Sequence, residues 1–424
     1  MDADAHIADF GRFVTASPSS YHAAAEVARR LVDAGYLLLD ETADWSGAVL
    51  PGARVVVVRD GAVLAVALPD SASPVTPFRI LGAHTDSPGF KLKPKSTTGA
   101  NGWLQAAVEV YGGPILASWF DRELELAGRI VDMAGGEHLV RTGPFLRIPH
   151  LAIHLDRTTN SGFGPDPQRD LQPVFGVGDL AQADLVAHLA GLAGLAPEQV
   201  GGYDLLTADT QEPRRFGADG ALYASGRMDN LTSVHAGLVG LLAARPTDSI
   251  AVLAAFDHEE VGSRSRSGAA GPLLADVLKR VTAALGGSTE DAARAFAASW
   301  CLSADAGHAV HPNRGEVHDP VNRPRVGSGP LLKINAQQRY TTDAHGAALW
   351  ARTCAQAGVP TQEFVSNNAV PCGSTIGPDT ASRLGIRTLD VGTPLISMHS
   401  ARELCHVDDP GFLADASAAF FAPE

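Results

Sequence analysis

Apolar runs of strand length alternate with helical segments along much of this chain, and that alternation restricts the folds it can adopt. We expect strands at residues 78–83, 250–256, 300–303, 361–365 and 386–391, and helices at residues 20–34, 231–244, 272–284 and 342–357. Apolar strands joined by helices are typical of a sheet whose two faces are both covered. The predicted fold class is α/β, with a mostly parallel mixed sheet sandwiched by helices.

The middle of the chain has a different character. Residues 91–224 are rich in Gly and Pro and contain short alternating runs such as Ala106, Val108 and Val110, with one helix expected at residues 180–192. Alternation with a period of two is typical of strands with one buried face. We interpret residues 91–224 as an inserted, mainly-β domain, and residues 1–90 together with 225–424 as a discontinuous main domain.

Acidic and histidine side chains occur at the ends of several of these apolar runs. They fall in five short segments and include His84, Asp86, Asp229, Glu259, Glu260, Asp305 and His399. In parallel sheets, ligands gather beyond the carboxyl ends of the strands. Two His, two Asp and one Glu make up about the set of nitrogen and oxygen ligands that two divalent metal ions require. The pattern therefore predicts a two-metal site with two further carboxylates in supporting roles.

Each candidate has a chemical use and also an ordinary structural explanation. The Asp86 carboxylate could orient the imidazole of His84 for metal binding, or the pair could lie in a turn. Glu259 and Glu260 are adjacent carboxylates, which repel each other unless a cation is near. One could bind a metal while the other acts as a general base, or both could be solvated. Asp229 could bridge two ions or cap a helix.

Several other enzyme classes lack their sequence patterns here. The chain has no His-Glu-x-x-His and no Gly-x-Ser-x-Gly, which excludes those peptidase and serine hydrolase motifs. Residues 176–181 match the loose dinucleotide-binding pattern, but Pro173 interrupts the approach and no convincing apolar strand leads into them. We therefore interpret Asp179 as a helix cap.

Bulk composition describes a globular protein with no nucleic-acid or membrane partner. The chain is 45% hydrophobic and 19% charged, and its net charge of −14 disfavours nucleic acid. No apolar run approaches the ~20 residues of a membrane span, and the N-terminal residues lack a signal pattern. The four cysteines form no Cys-x-x-Cys pair, so we interpret them as small apolar residues in a reducing compartment. We expect a cytoplasmic protein.

The site segments and several others occur in the order of a known family. They are residues 82–88 (Gly-Ala-His-Thr-Asp-Ser-Pro), 119–122 (Trp-Phe-Asp-Arg), 148–155, 259–263 (Glu-Glu-Val-Gly-Ser), 303–305 (Ser-Ala-Asp), 309–313 (Ala-Val-His-Pro-Asn), 338–340 (Gln-Arg-Tyr), 373–378 (Gly-Ser-Thr-Ile-Gly-Pro) and 398–400 (Met-His-Ser). Over nearly its whole length the chain resembles the M18 metallo-aminopeptidases, the aspartyl aminopeptidase family.

The resemblance implies a zinc exopeptidase fold and a zinc-dependent enzyme that removes N-terminal Asp or Glu from peptides. Carried onto this chain, its pattern implies the metal ligands His84, Asp229, Glu260, Asp305 and His399. Asp229 would bridge two ions, with His84 and Asp305 at one and Glu260 and His399 at the other. Glu259 would be the general base, and Asp86 would orient His84.

The resemblance also implies a homo-oligomer, a tetrahedral dodecamer built from dimers through the inserted domain. In that assembly His154 would reach into a neighbour's active site and help to stabilise the tetrahedral intermediate. His311 and Lys333 match positions near the substrate, where a lysine could meet the carboxylate of an acidic residue. Taken alone, His154 would be an ordinary strand residue alternating with Ile153, and Lys333 an ordinary surface lysine.

The chain departs from the family pattern at two places. His258 stands where a small polar residue such as Asn is expected, which concerns the surroundings of the ligands. Ala306 and Gly307 replace a bulkier pair, which could loosen the packing behind Asp305. Neither departure affects a residue that the pattern assigns to a metal.

Two other functions stay open. The same metal chemistry could act on neutral N-terminal residues or small N-acyl compounds, and a catalytically inactive relative could serve as a scaffold. The presence of all five expected ligands and the base disfavours the scaffold. We expect two divalent ions per subunit, with zinc first, although manganese and cobalt suit the same ligands.

Overall fold

The computed structural model describes residues 2–423 of the chain. Met1 and Glu424, the outer limits of the predicted main domain, lie outside the described residues. In residues 2–423 the helices are α1 Ala3–Ala16, α2 Ser20–Asp33, α3 Leu185–Leu192, α4 Met228–Ala243, α5 Leu273–Ala284, α6 Thr289–Ala298, α7 Ala344–Ala357, α8 Gly377–Leu384 and α9 Asp409–Phe421.

Most strands within residues 2–423 are shorter than the helices. In chain order they are β1 Leu37–Leu38, β2 Arg54–Arg59, β3 Ala62–Ala67, β4 Phe78–His84, β5 Gly89–Thr98, β6 Trp103–Tyr111, β7 Leu124–Asp132, β8 Glu137–Arg141, β9 Val174–Val177, β10 Val200–Asp209, β11 Arg214–Phe216, β12 Leu222–Ser225, β13 Ile250–Phe256, β14 Trp300–Ala304, β15 Gly307–His308, β16 Leu331–Ile334, β17 Gln362–Val365, β18 Arg387–Gly392, β19 Pro394–Leu395 and β20 Glu403–His406.

The larger sheet contains nine of the strands in the described range. Their order is β1-β2-β3-β13-β4-β14-β18-β16-β17. The four central strands β13, β4, β14 and β18 run parallel to one another, whereas β3 and β16 pair antiparallel with β13 and β18. The sheet is mixed and mostly parallel and has helices on both faces, which confirms the predicted fold class.

Side chains of the central strands alternate between two hydrophobic layers, one on each face of the sheet. In β13, Leu253 belongs to the layer that contains α4 and α9, and Val252 belongs to the layer that contains α5 and α6. All seven residues of β13 are buried because helices lie on both sides. The chain leaves this packed region at the carboxyl end of the strand, where residues 257–260 follow.

The middle of the chain forms a second sheet, which is antiparallel. Its order is β8-β7-β10-β5-β6-β9, and its strands lie between Gly89 and Asp209. It has its own hydrophobic core, which includes Phe90, Leu126 and Leu189 of α3. β11 and β12 form a separate small sheet with β20. The division of the chain into residues 1–90 with 225–424 and residues 91–224 stays a prediction.

Arg129 of β7 connects the second sheet to the larger one. Its guanidinium donates to Asp60, in the turn between β2 and β3, at 2.8 Å and to Asp204 of β10 at 3.2 Å. It also lies over the ring of Tyr21 in α2, 4.5 Å from the ring centre. One cation therefore contacts elements of both sheets and stabilises their relative orientation.

Several elements agree with the sequence prediction and others do not follow from it. α2 begins at Ser20, after Ser19 accepts the N–H of His22 through its hydroxyl at 3.4 Å, and β13 has the predicted bounds. The pattern does not predict α1, α6, α8 or α9. α9 is buried around much of its circumference, so its sequence lacks the polar stripe by which an amphipathic helix is recognised.

Residues 148–155 do not form the strand that their alternating pattern favours. Only Ile148 pairs, through an isolated bridge to Phe120. Pro149, which follows it, has no N–H to donate to a ladder. Leu151 and Leu155 are 65% and 76% exposed. The side chains of Leu151, Ile153 and Leu155 therefore face outward from the single chain, whereas Ile148 is buried.

The predicted cap at Asp179 and the predicted state of the cysteines agree with the structure. The side chain of Asp179 accepts the N–H of Ala181 at 3.0 Å at the start of a short 3-10 turn. The four cysteines are free thiols, and all but Cys372 are fully buried. None of the helices within residues 2–423 is long and apolar enough to cross a bilayer.

A buried cluster of titratable groups joins α1 to α2 and α4. Asp9 bonds to Nε2 of His235 at 2.9 Å and accepts from Arg30 at 2.8 Å. His6 packs with its ring centre 5.0 Å from that of His235, is 2% exposed, and its Nε2 has no hydrogen-bond partner among the described residues. Burial, and next the charge of His235, lower the pKa of His6 to about 3. His6 is therefore neutral in the folded protein at neutral pH.

We expect His6 to make the protein less stable as the pH falls from 7 to 5. The unfolded chain binds a proton at this residue below about pH 6.5, whereas the folded chain does so only near its pKa of about 3, so stability is lost as the pH falls through that window. Replacement His6→Phe should make this decrease in the free energy of unfolding about 2 kcal/mol smaller. Urea unfolding at pH 7 and at pH 5 measures the free energy of unfolding.

His345→Gln, which removes an exposed histidine of α7, controls for the general effect of removing a histidine. If the parent and His6→Phe lose equal stability between pH 7 and pH 5, His6 is not the cause of the loss.

Candidate metal centre and active site

The five predicted metal ligands converge at the carboxyl ends of the central parallel strands. His84 ends β4, Asp305 follows β14, and Glu260 lies in a short 3-10 turn after β13. Asp229 is at the start of α4, and His399 is in the loop between β19 and β20. Parallel strands bring their carboxyl ends to one edge of a sheet, which is why residues so distant in the sequence meet.

His84, Asp229 and Asp305 form one half of the cluster. Nε2 of His84 lies 3.3 Å from Oδ1 of Asp229 and 3.6 Å from Oδ1 of Asp305. All three residues are buried. One imidazole nitrogen therefore faces two carboxylates in a region shielded from solvent.

His399 and Glu260 form the other half. Nε2 of His399 lies 3.4 Å from Oδ2 of Asp229 and 3.5 Å from Oε2 of Glu260. Asp229 thus turns one oxygen towards each of the two histidines. A carboxylate in the middle of such a cluster is compatible with the bridging position that the family pattern implies.

The cluster has the properties of a cation site. Oδ1 of Asp229 and Oε1 of Glu260 are buried and have no hydrogen bond within residues 2–423. Ligand atoms of His84, Asp229 and Glu260 all lie within 4.8 Å of one another. Buried carboxylate oxygens without partners are unfavourable, and a cation compensates them. These residues therefore fit divalent metal ions in burial, donor type and spacing.

The concentration of carboxylates changes the pKa values in the site. Burial raises the pKa of Glu259 to about 7 and that of Glu260 well above its ordinary value. Burial by itself lowers the pKa of His399, but the contact with Asp229 and the charge of Glu260 outweigh it and raise that pKa to about 10. The site favours additional positive charge.

The carboxylate of Asp86 holds the turn after β13 as well as lying beside His84. Its Oδ1 accepts the N–H of Glu259 at 3.0 Å, and its Oδ2 accepts the N–H of Glu260 at 3.1 Å. The hydroxyl of Tyr111 donates to Oδ2 at 2.8 Å. Nδ1 of His84 lies 3.0 Å from the backbone oxygen of Asp86 and 3.4 Å from its carboxylate. Since Nδ1 is occupied in this way, Nε2 faces the cluster.

The loop after β6, at residues 112–115, contributes backbone groups to the site. Nδ1 of His399 donates to the carbonyl of Gly113 at 3.0 Å, and the N–H of Ile115 donates to the carbonyl of His399 at 2.8 Å. Gly112 has a φ of 68° and lies so near Glu260 that an added Cβ would approach the Cβ of Glu260 to 3.1 Å. The second sheet therefore takes part in positioning His399.

Glu403 of β20 is a site residue that the sequence analysis does not identify. It is 2% exposed; its Oε2 accepts the N–H of Asp229 and its Oε1 the N–H of His399, both at 3.0 Å. Burial, and next the charge of Asp229, raise its pKa to about 8. The signal that could have identified it is an acidic residue four positions after a candidate ligand, in a segment that also contains a buried strand.

His258 occupies a backbone conformation that explains why a small polar residue was expected there. Its φ of 64° lies in the left-handed region, which Asn enters more easily than most residues and which His also tolerates. Nδ1 of its ring bonds to the hydroxyl of Ser265 at 2.9 Å. The ring is thus held by the loop after β13.

The small pair Ala306 and Gly307 leaves room for Lys333 of β16. A Cβ on Gly307 would lie 2.3 Å from Cδ1 of Leu331 and 3.2 Å from Cε of Lys333. Nζ of Lys333 donates to the carbonyl of Ala306 at 2.7 Å and lies 3.8 Å from Oδ2 of Asp305. The expected looser packing is therefore absent in the described structure, because β16 fills the space.

A cavity opens beside Met398, the residue before His399. Its lining includes His308, His311, Val317, His318, Tyr340, Phe364, Val370, Cys372, Leu395 and Met398. His311 therefore shares this cavity with Met398, and its backbone N–H donates to Nε2 of His318 at 3.1 Å. His154 lies elsewhere, in the exposed segment at residues 149–155.

Comparison with known proteins agrees with the geometry of the site. The chain matches the family described as aminopeptidase I zinc metalloprotease (M18) over residues 13–421. A protein of Streptomyces avermitilis described as "Probable M18 family aminopeptidase 2" is 53% identical over 422 residues, which cover 98% of this chain and 97% of that protein. A protein of the same description from Mycobacterium leprae is 43% identical over 427 residues, 99% of each.

Solved structures show the same relationship in three dimensions. A chain of the cryo-EM structure of the Ape4 and Nbr1 complex superimposes with a TM-score of 0.95 at 36% identity, covering 99% of this chain and 86% of that chain. A chain of the S. cerevisiae mApe1 dodecamer gives a TM-score of 0.86 at 27% identity, covering 98% and 96%. Because the family match leaves almost no part of the sequence outside it, this protein belongs to the M18 family of metallo-aminopeptidases, which are hydrolases.

Proposed function

We propose that this protein removes the N-terminal residue, preferably Asp or Glu, from peptides, using two zinc ions per subunit. The position of Asp229 carries the proposal, because its two oxygens lie 3.3 Å from His84 and 3.4 Å from His399. Asp305 would complete the ion position at His84, and Glu260 the one at His399. The family description supports zinc, although manganese and cobalt suit these ligands.

Glu259 is the proposed general base. Divalent ions bound here would polarise the scissile carbonyl and lower the pKa of a water molecule. Oε2 of Glu259 lies 4.0 Å from Nε2 of His84, so its carboxylate is at the edge of the cluster, where it could take up and return a proton. Glu259 would accept the proton of the attacking water and pass it to the leaving amine. Asp86 holds the backbone of Glu259 for this role.

Lys333 is the proposed partner of an acidic substrate side chain, and His311 lies nearby at the cavity. A net charge of −14 would repel an acidic residue unless a local cation offset it. The ammonium of Lys333 has three donors, of which one bonds to Ala306, and Asp305 lies 3.8 Å away, so a substrate carboxylate would share this cation with Asp305. Tyr340, whose ring centre is 5.3 Å from Nζ, also lines the cavity.

One observation favours a second specificity, for neutral N-terminal residues. Lys333 is buried and does not itself belong to the described lining of the cavity beside Met398. That lining includes the apolar side chains of Val317, Phe364 and Leu395. An uncharged substrate side chain would therefore also find suitable contacts there.

We also propose a homo-oligomer, a tetrahedral dodecamer built from dimers. The likeness to a chain of the S. cerevisiae mApe1 dodecamer supports it. The exposed apolar residues Leu151, Ile153 and Leu155 support it as well, since contiguous apolar surface favours a protein contact. His154 lies within this segment, which would let it reach a neighbour's site and stabilise the developing oxyanion.

Replacement Glu259→Gln should lower kcat about 10²–10⁴-fold while metal content is unchanged, because an amide cannot take the proton from water. Steady-state kinetics and elemental analysis measure the two quantities. Glu260→Gln is the matched control, the same change at the next residue, and should lower metal content. Full activity or loss of metal in Glu259→Gln would remove Glu259 from the role of base.

A panel of Asp, Glu, Leu, Lys and Ala substrates, each with and without a chelator, tests the specificity. We expect chelator-sensitive activity that is highest on Asp or Glu. Lys333→Met should lower kcat/KM for Asp relative to Ala about 10–100-fold, since it removes a charge-assisted hydrogen bond. Lys95→Met, at an exposed lysine, is the control. Highest activity on Leu or Ala, with a ratio unaffected by Lys333→Met, would select the neutral specificity.

Mixing two inactive variants tests whether His154 acts in a neighbouring subunit. His154→Ala and Glu259→Gln proteins, dissociated and reassembled together, should regain activity because some sites would receive Glu259 from one subunit and His154 from the other. Each protein reassembled alone is the control, and light scattering reports assembly. Mixed assemblies with no gain in activity would contradict the proposal.

A further inference from the structure

We propose that Glu403 is a positioning residue that holds the backbones of Asp229 and His399 together and thereby sets the geometry of the metal position these two residues would share. This inference rests on the proposed function, in which both are ligands. Each side-chain oxygen of Glu403 accepts a backbone N–H, so we assign it a supporting role and not that of a ligand.

The two hydrogen bonds couple distant parts of the chain through one rigid group. Oε2 accepts from Asp229 and Oε1 from His399, each at 3.0 Å. The two oxygens of a carboxylate keep a fixed separation and direction. Fixing both N–H groups on them therefore fixes the two backbones relative to each other, and with them the points from which the two side chains reach the cluster.

Neither backbone is held at this point by regular secondary structure. Asp229 has φ −81° and ψ 103°, outside the helical region although it lies in the first turn of α4. His399 has a φ of 66° in the loop between β19 and β20. Without Glu403 both N–H groups would lose the acceptor that they have here, and this is costly for the buried Asp229. Glu403 thus does for these two residues what a sheet or helix ladder does elsewhere.

Glu403 can act as a fixed point because its own backbone belongs to a sheet. β20 pairs antiparallel with β12, and Glu403 lies opposite Ser225. The chain continues from Ser225 to Asp229 within four residues, and from Glu403 back to His399 within four. The two ligand-bearing segments therefore leave a common strand pair and are joined again by the carboxylate.

Asp409 of α9 provides the same chemical arrangement without metal ligands. Its Oδ2 accepts the N–H of Gly327 at 2.8 Å and its Oδ1 the N–H of Gly329 at 3.3 Å, and the side chain is buried. Asp409 therefore shows what a buried carboxylate with two backbone donors contributes to stability when neither donor belongs to a proposed metal ligand.

The test compares Glu403→Gln with Asp409→Asn in the full chain, stripped of metal and titrated with Co²⁺. Both changes replace one accepting oxygen with an NH₂ group that cannot accept. We expect Glu403→Gln to weaken the binding of one of the two ions about 10–100-fold and to alter the Co²⁺ absorption spectrum. Its peptidase activity should recover as Co²⁺ is raised. Asp409→Asn should lower the thermal midpoint but leave both ion affinities and the spectrum unchanged.

Glu403→Asp, which keeps the carboxyl group but shortens the side chain, serves if Glu403→Gln does not fold, and should bind that ion with lower affinity than the parent. Parental affinities in the folded Glu403 variant, or equal weakening in Asp409→Asn, would overturn the inference. If the parent binds a single ion, the two-metal proposal fails, and the effect of Glu403→Gln is measured as the change in affinity for that ion. If the parent binds none, both fail.

Discussion

The burial of several carboxylates within hydrogen-bond or near-contact distance of two histidines is the constraint on which the rest of this site depends. A buried carboxylate must be offset by donors or cations. Asp86 and Glu403 meet this need with backbone N–H groups, two for each carboxylate. Asp229 and Glu260 do not, since each keeps a buried oxygen without a hydrogen bond in the described chain. The carboxylates therefore divide into those that organise backbone and those that are available to a cation.

This division gives the site two layers with different tasks. The inner layer presents nitrogen and oxygen atoms to the centre of the cluster. The outer layer acts on the backbone: Asp86 on the turn after β13, and Glu403 on Asp229 and His399. Metal sites depend on such outer contacts for the orientation of their ligands. A substitution in the outer layer would thus change the chemistry without removing any ligand.

Both sheets contribute to the site, but in different ways. The parallel strands β4, β13 and β14 of the larger sheet carry His84, Glu260 and Asp305, three of the proposed ligands, at or just after their carboxyl ends. The second sheet contributes backbone and a hydroxyl: the carbonyl of Gly113 fixes the ring of His399, and Tyr111 donates to Asp86. Correct placement of the second sheet, which Arg129 helps to secure, is therefore part of the geometry of the site.

The order of the apolar runs predicts the α/β class, and the acidic and histidine residues that follow these runs predict which side chains meet at the strand ends. Apolar strands have a strong local signal, and an acidic or histidine residue at the end of such a strand is visible without knowledge of its neighbours. Buried apolar helices such as α9 escaped prediction because they lack a polar stripe. Glu403 and the loop at residues 112–115 escaped it because a backbone group takes part in each contact: the N–H groups of Asp229 and His399 with Glu403, and the carbonyl of Gly113 with the ring of His399. Only the tertiary structure decides those contacts, since a backbone N–H has no signature in the sequence, and its partner is known only once the chain has folded.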